Sequence, residues 1–219
     1  MRDLTLVIAN KAYSSWSLRP WLVLTHAGVP FEEIVIPLRR PETAEAIARH
    51  TPAGKVPVLH HGNVVIWESL AIIEYLAELF ADADVWPADR AARAHARAIS
   101  AEMHAGFVPL RSNMPMHVRA SLPGRGRTPE VARDIARITA LWRDCLDRFA
   151  ADGPFLFGRF SAADAMYAPV VSRFQTYGVE LDPVCRAYAD AVLDYPGMRA
   201  WYAAAREEEW VIADYEPTA

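Results

Sequence analysis

The most constraining feature of the sequence is a change in the spacing of its apolar residues near residue 81. Before it, short apolar runs of strand length alternate with segments of helical spacing; after it, helical spacing alone recurs. The elements predicted in the first part are, in order, strand Leu4–Ala9, helix Ser17–His26, strand Phe31–Leu38, helix Pro41–His50, strands Val56–Leu59 and Val64–Ile66, and helix Ser69–Phe80. The order βαβ-α-ββα predicts a compact α/β domain over residues 1–81.

The second part of the chain has the pattern of an all-helical domain. Residues 82–89 are polar and end in Trp-Pro-Ala-Asp, which predicts a linker and a helix cap. Helices are predicted over Arg90–Val118, Pro129–Ala151, Ala162–Tyr177, Pro183–Leu193 and Gly197–Trp210. The fold class is therefore α/β plus all-α, with a helical bundle formed by residues 90–219.

Composition argues against a nucleic-acid-binding protein and against a membrane protein. The net charge of −4 over 219 residues lacks the basic excess of a nucleic-acid-binding protein. No apolar run approaches the length of a membrane span, and the first residues lack a secretory signal, so we expect no membrane partner. The two cysteines, Cys145 and Cys185, have neither CxxC nor metal-ligand spacing, which predicts free thiols, no metal site and a cytoplasmic location.

Two serines stand where the first strand meets the first helix. Ser14 and Ser15 lie in the segment Tyr-Ser-Ser-Trp-Ser-Leu-Arg. A helix N-terminus presents unpaired N–H groups and a partial positive charge, so an anion is stabilised there and a hydroxyl can donate to it. The alternative is that these serines only cap the helix.

Two further junctions have residues suited to a peptide-like ligand. Lys55 precedes Val56-Pro57, and a proline that opens a strand belongs at an edge or at a sharp cis bend. Glu68 and Ser69 begin the next helix, where a carboxylate beside a hydroxyl suits a zwitterionic amino-acid group. An ordinary trans proline and a simple acidic helix cap are the alternatives.

Together these segments resemble the cytosolic glutathione transferase superfamily over nearly the whole chain. The matching elements are Ser14 to Arg19, Val56-Pro57, Glu68-Ser69, and Ser161 to Asp164 followed by Pro169 and Val170. The resemblance implies a thioredoxin-like first domain and glutathione as co-substrate. It also implies a homodimer, and a helix-capping role in folding for Ser161 to Asp164.

The same resemblance assigns roles within the site. It implies a cis bond before Pro57, main-chain pairing of Val56 with the cysteinyl part of glutathione, and recognition of the γ-glutamyl group by Glu68 and Ser69. Lys55 falls where relatives often have a polar glutathione contact. Ser14 is expected to face the sulfur because it precedes Arg19 by five residues, the offset at which related proteins place their catalytic serine or cysteine. Ser15 is the alternative.

The resemblance is greatest to the zeta class, which begins this helix with Ser-Ser-Cys-Ser. Trp16 replaces the cysteine here, and Glu68 stands where zeta members commonly have glutamine. The predicted function is glutathione transfer to a hydrophobic electrophile. Glutathione-dependent isomerisation of the maleylacetoacetate type, peroxide reduction, and a non-catalytic ligand-binding or interaction role are the alternatives.

The electrophile is expected between the domains, against the first helix of the second domain. His104, Phe107 and Arg111 are the candidate contacts. A helical step of seven would put His104 and Arg111 on one face, where they could bind an anionic group. Solvated charges are the alternative for these two residues, and bundle core is the alternative for Phe107.

Overall fold

The computed structural model describes residues 3–150 and 153–216. Its strands are β1 (Leu4–Ala9), β2 (Glu32–Ile36), β3 (Val58–His61) and β4 (Val64–Trp67). Its helices are α1 (Ser15–His26), α2 (Thr43–Ala48), α3 (Ser69–Leu79), α4 (Arg90–Ala105), α5 (Val108–Asn113), α6 (Pro129–Phe149), α7 (Ala162–Thr176), α8 (Pro183–Asp194) and α9 (Pro196–Glu207). Short 3₁₀ turns occur at Ala81–Ala83 and Ala213–Tyr215. The predicted end of α6 at Ala151 lies outside the described residues.

The four strands form one mixed sheet in the order β2-β1-β3-β4. β1 pairs with β2 in parallel, and the β3–β4 hairpin is antiparallel to β1. Leu6 and Ile8 of β1 join the core that contains α1 and α3, whereas the intervening Val7 packs with Ile47 of α2. Because successive strand residues point to opposite faces, the sheet has helices on both sides. This confirms the predicted thioredoxin-like βαβ-α-ββα domain.

The remaining helices form the predicted all-helical domain around α7. This helix is buried almost all round and packs against α1 and α4, so it joins the two domains. A capping box fixes its start, because the Ser161 N–H donates to Asp164 Oδ2 at 2.8 Å. The Leu156 N–H donates to the other carboxylate oxygen at 3.1 Å. No helix within the described residues is long and apolar enough to span a bilayer.

The prediction of a single helix over Arg90–Val118 is wrong, because the helix is interrupted at Gly106. A Cβ at this position would lie 2.8 Å from the Glu102 carbonyl oxygen. Phe107 then takes a left-handed conformation (φ 57°), and α5 starts with Pro109 in its first turn. Proline cannot donate to a preceding helical carbonyl, so Gly106 and Pro109 together end one helix and begin another.

The last helix also ends earlier than predicted, at Glu207 instead of Trp210. The carboxylate of Glu208 accepts hydrogen bonds from the main-chain N–H groups of Lys11 and Ala12. Arg119 donates to the main-chain oxygens of Glu208 and Trp210. These contacts hold the C-terminal segment against the loop after β1, and therefore beside the start of α1.

Candidate functional site

A first cleft of about 320 Å³ gathers the residues predicted to bind glutathione. It is lined by Trp16, Ala53, Lys55, Val56, Pro57, Trp67, Glu68, Ser69, His104 and Arg111. These residues come from the start of α1, the loop before β3, the β4–α3 junction and the α4–α5 region. The volume lies in the range of small-molecule sites.

The loop before β3 presents a main-chain edge to this cleft. The Val56–Pro57 peptide bond is cis, as the resemblance implies. Val56 lies just before the strand ladder, which begins at Val58. Its peptide groups are therefore placed to pair with an extended peptide ligand.

The β4–α3 junction lies beside this loop, because Val58 pairs with Trp67 in the β3–β4 hairpin. Glu68 takes a left-handed conformation (φ 68°) and Ser69 begins α3. The Ser69 hydroxyl oxygen is buried and has no hydrogen-bond partner among the described residues. The first turn of α3 contains no acidic side chain, so its free N–H groups and the Ser69 hydroxyl can receive a carboxylate.

Glu68 and His104 lie close together in the first cleft. Glu68 Oε2 lies 3.5 Å from His104 Nε2, and the Glu68 side chain is 54% exposed. Burial lowers the pKa of His104, the Glu68 carboxylate opposes this, and Arg19 and Arg111 add to the lowering. His104 is therefore mostly neutral at pH 7, which leaves the charge of Glu68 available to an ammonium group.

A second cleft of about 360 Å³ adjoins the first. It is lined by Tyr13, Ser14, Ser15, Trp16, Leu38, Ile47, Gly54, Lys55, Val56, Arg111, Pro115, Met116, Arg173 and Tyr215. The two clefts share Trp16, Lys55, Val56 and Arg111. A ligand that fills the first cleft can therefore present a reactive atom to the second.

Both candidate serines lie at the second cleft, but their hydroxyls differ. Ser14 is the N-cap of α1: its oxygen accepts from the Ser17 N–H at 3.3 Å, and its hydroxyl pairs with the Ser17 hydroxyl at 2.8 Å. The Ser15 oxygen instead accepts from an Arg173 Nη at 3.2 Å. The Ser15 oxygen is thus held by an arginine from another helix, whereas the Ser14 hydroxyl turns back to the helix that it caps.

Three arginines lie around Trp16, next to these serines. The guanidinium carbon of Arg19 lies 4.1 Å from the centre of the Trp16 ring, and that of Arg111 lies 5.3 Å from it. Arg19 and Arg173 are buried and donate mainly to main-chain oxygens, at Met166 among others. No described carboxylate forms an ion pair with any of the three. Their charges therefore favour an anion in the clefts.

Burial and the closeness of the other arginines lower the pKa values of Arg19 and Arg173. Burial lowers the pKa of Arg173 to about 10, and the neighbouring Arg111 adds to this. The pKa of Arg19 is also lowered, first by burial and then by Arg173 and Arg111. Arg173 was missed by the sequence analysis, although an arginine in the otherwise apolar segment of α7 between Val171 and Phe174 could have indicated it.

Two aromatic residues near the site have other contacts. Phe107 is buried in the hydrophobic core and does not line either cleft, which agrees with the core alternative. Tyr13 donates to Glu216 at 2.6 Å and accepts from Arg119 at 2.7 Å. The Tyr13 hydroxyl is thus used to anchor the C-terminal segment.

Away from the clefts, His95, Asp144 and Cys145 bring possible metal-ligand atoms within 4.8 Å of one another. Asp144 lies 3.3 Å from His95 and is paired with Arg148 at 2.8 Å. Burial raises the pKa of the Cys145 thiol to about 12. The group is a polar cluster between α4 and α6 in which Asp144 forms an ion pair with Arg148.

Comparison with known proteins gives the chain its family. Residues 13–79 match the model of the glutathione S-transferase N-terminal domain, and residues 128–204 match that of the C-terminal domain. A probable maleylacetoacetate isomerase of Caenorhabditis elegans is 29% identical over 174 residues, which are 78% of this chain and 79% of that protein. Mouse glutathione S-transferase theta-1 is 32% identical over 142 residues, covering 62% of this chain and 59% of the relative.

The fold has a similar counterpart among solved structures. A glutathione transferase homolog from Burkholderia gl BGR1, solved with bound glutathione, superposes with a TM-score of 0.72 at 23% identity, covering 95% of this chain and 100% of that one. The two domain models occur in the same order as the two structural domains described above. The chain therefore belongs to the cytosolic glutathione transferase superfamily and is an enzyme of that transferase class.

Proposed function

We propose that the protein binds glutathione in the first cleft, activates its thiol with the Ser15 hydroxyl, and transfers it to an electrophile in the second cleft. The observation that carries the proposal is the pair formed by Ser15 and Arg173. Arg173 occupies an acceptor site on the Ser15 oxygen, so the hydroxyl proton is free to point into the cleft. Sequence spacing favoured Ser14, but the bonds of Ser14 to Ser17 favour Ser15 for this role.

The available interactions are strong enough to ionise the thiol. A cysteine thiol has a pKa of about 8.5, and ionising most of it at pH 7 needs a shift of about 2 units, or about 2.7 kcal/mol. A hydroxyl that donates to a charged acceptor contributes about 1.5–3 kcal/mol. The N-terminus of α1 adds about 0.3–1 kcal/mol. No general base is needed, and the cationic arginines act in the same direction.

The rest of the first cleft positions the tripeptide. Glu68 pairs with the γ-glutamyl ammonium, and Ser69 with the N-terminus of α3 receives the adjacent carboxylate. The main chain of Val56 pairs with the cysteinyl unit, and Lys55 provides a cation at the boundary of the two clefts. This arrangement holds the sulfur beside Ser15, where the protein contributes mainly positioning and electrostatic stabilisation.

Turnover of chlorodinitrobenzene tests the proposal. The thiolate forms a sulfur–carbon bond at the ring carbon, and the carbon–chlorine bond breaks as chloride leaves with its electron pair. Ultraviolet absorbance of the bound thiolate is measured alongside turnover. A lowered thiol pKa with conjugation supports the transferase. Tight glutathione binding without thiolate or product would support a non-catalytic binding protein.

Glutathione-dependent isomerisation is a second candidate, because the Caenorhabditis elegans relative is named a probable maleylacetoacetate isomerase. It would use the same thiolate, which adds to a double bond, allows rotation and then leaves. Trp16 in place of the zeta-class cysteine speaks against it. Conversion of maleylacetone to its trans isomer, measured against chlorodinitrobenzene conjugation, compares the two activities directly.

We also propose a homodimer in the cytoplasm. β4 is an edge strand of the sheet and exposes Val64, Val65 and Trp67 by 38–47% of their surface. Such an apolar edge is suited to burial against a second copy. Both cysteines are free, in keeping with a reducing compartment. Light scattering at micromolar concentration tests the assembly, and a monomeric mass would contradict it.

A further inference from the structure

The second cleft has an unusual charge balance for a site that receives a hydrophobic electrophile. Among the residues that the structure describes, its lining contains three cationic side chains, Lys55, Arg111 and Arg173, and no carboxylate. The protein as a whole has a net charge of −4, so this concentration of positive charge is local. Six aromatic and aliphatic side chains line much of the remainder: Tyr13, Trp16, Tyr215, Leu38, Ile47 and Met116.

Arg111 is the cation best placed to contact a ligand. No described residue accepts a hydrogen bond from its guanidinium or forms an ion pair with it, and its Nε is buried without a partner. In Arg173, by contrast, each of the three guanidinium nitrogens already donates a hydrogen bond, to Ser15 or to one of two main-chain oxygens. Asp134 acts on Arg111 only at a distance, since its carboxylate accepts from the Leu110 N–H at 2.9 Å. Arg111 therefore retains its hydrogen-bonding capacity for a ligand.

The position of Arg111 relates it to the reacting centre. It lines both clefts and lies over Trp16, which also lines both. The glutathione sulfur is expected at this boundary, beside Ser15 and Val56. His104, the other residue that sequence spacing linked with an anion, lines only the first cleft and lies against Glu68.

We propose that the second cleft selects electrophiles that combine a planar apolar body with an anionic group, and that Arg111 binds that group. The inference rests on the proposed transferase function and narrows its substrate class. A carboxylate or sulfonate on Arg111 would hold the body against Trp16 and Tyr215, with the reacting carbon next to the sulfur. Arginine favours such planar anions because its guanidinium can donate two parallel hydrogen bonds.

A matched pair of electrophiles tests the proposal. The two compounds are chlorodinitrobenzoate and chlorodinitrobenzotrifluoride, each with its chlorine flanked by both nitro groups. Both react by the same displacement of chloride, and they differ only in that one has a carboxylate where the other has a neutral trifluoromethyl group. We measure kcat/KM for each and divide it by the uncatalysed rate with glutathione. The wild type should prefer the carboxylate, and Arg111→Gln should lower kcat/KM for it about tenfold while changing the neutral substrate less than twofold. Arg133→Gln, which removes an exposed charge paired with Glu130 on α6, should change neither.

Other outcomes would overturn the inference. An equal loss for both substrates, with a raised thiol pKa in Arg111→Gln, would assign Arg111 to the thiolate instead. Equal normalised rates in the wild type would exclude an anion-selective cleft while leaving the transferase intact. If neither substrate turns over, the transferase proposal fails, and calorimetry with dinitrobenzoate and dinitrobenzotrifluoride in the presence of S-methylglutathione still decides the inference. Binding of dinitrobenzoate that depends on Arg111 supports it, and equal binding of the two compounds refutes it.

Discussion

The guanidinium of Arg173 donates a hydrogen bond of 3.2 Å to the hydroxyl oxygen of Ser15, across the boundary between the two domains. Arg173 is itself held by the carbonyl oxygens of Met114 and Pro169, at 2.8 Å and 3.2 Å. The bond fixes the Ser15 oxygen, withdraws electron density from it and leaves its proton to be donated. The helical domain thus contributes directly to the serine that we propose to face the sulfur.

The first prediction concerns which serine activates the thiol. Ser15→Ala should raise the thiol pKa of bound glutathione by about 1–2 units, because a charge-assisted hydrogen bond of about 1.5–3 kcal/mol to the thiolate is lost. Ultraviolet titration of the bound thiolate measures this shift. Affinity for glutathione should change much less, since Glu68, Ser69 and Val56 are proposed to bind the rest of the tripeptide.

Ser14→Ala is the matched control, and it should act on stability instead. It removes the N-cap of α1 and should cost about 1 kcal/mol of unfolding free energy, with a small effect on the thiol pKa. A thiol pKa raised in Ser14→Ala and unmoved in Ser15→Ala would return the role to Ser14, as sequence spacing suggested. A pKa unmoved in both variants would refute the serine mechanism.

The second prediction tests the role of Arg173 as a positioning residue. Arg173→Lys keeps a positive charge but cannot reach three acceptors in one plane, so the Ser15 hydroxyl should lose its fixed orientation. We expect the bound thiol pKa to rise by about half as much as in Ser15→Ala. The Ser15→Ala/Arg173→Lys double variant should match Ser15→Ala alone, because the arginine acts through the serine. Additive shifts would show that Arg173 acts on the thiolate independently.

Much of this site could be predicted from the sequence because its residues lie at element junctions. Glu68-Ser69 and Val56-Pro57 each mark a turn by local chemistry, and the structure brings both to one cleft. Arg173 could not be predicted in the same way, since its contact with Ser15 spans 158 residues and depends on how α7 packs on α1. A helical step of seven was also the wrong reason for linking His104 and Arg111, because the helix breaks between them at Gly106.

The third prediction concerns recognition of the γ-glutamyl end. Glu68→Gln should weaken glutathione binding about fivefold, because a carboxylate that is 54% exposed interacts with an ammonium by about 1 kcal/mol. The bound thiol pKa should not move, since Glu68 lines only the first cleft and Ser15 only the second. A glutathione analogue without the amino group is the matched ligand, and calorimetry should find that its affinity is the same in Glu68→Gln and wild type. An equal loss for both ligands would mean that Glu68 shapes the β4–α3 junction without contacting the ammonium.

The last prediction is a pH dependence of folding that originates at Asp164. Burial raises the pKa of this carboxyl from 3.8 to about 6, against hydrogen bonds from Leu156 and Ser161 that lower it. The folded state therefore holds the proton more tightly than the unfolded state between about pH 4 and pH 6. The stabilisation from that proton is complete below about pH 4 and is lost as the pH rises through about 6, a change of about 3 kcal/mol.

Asp164→Asn isolates this effect because asparagine does not titrate. The variant should be less stable than wild type, since its amide has one acceptor oxygen where the carboxyl accepts from both Leu156 and Ser161. Urea unfolding of both proteins between pH 4 and pH 7 gives the difference in their unfolding free energies. That difference should be largest near pH 4 and shrink as the pH rises, because the wild type alone loses its bound proton in the folded state. A difference that grows with pH would show that the folded carboxyl is ionised throughout and that the hydrogen bonds from Leu156 and Ser161 outweigh its burial.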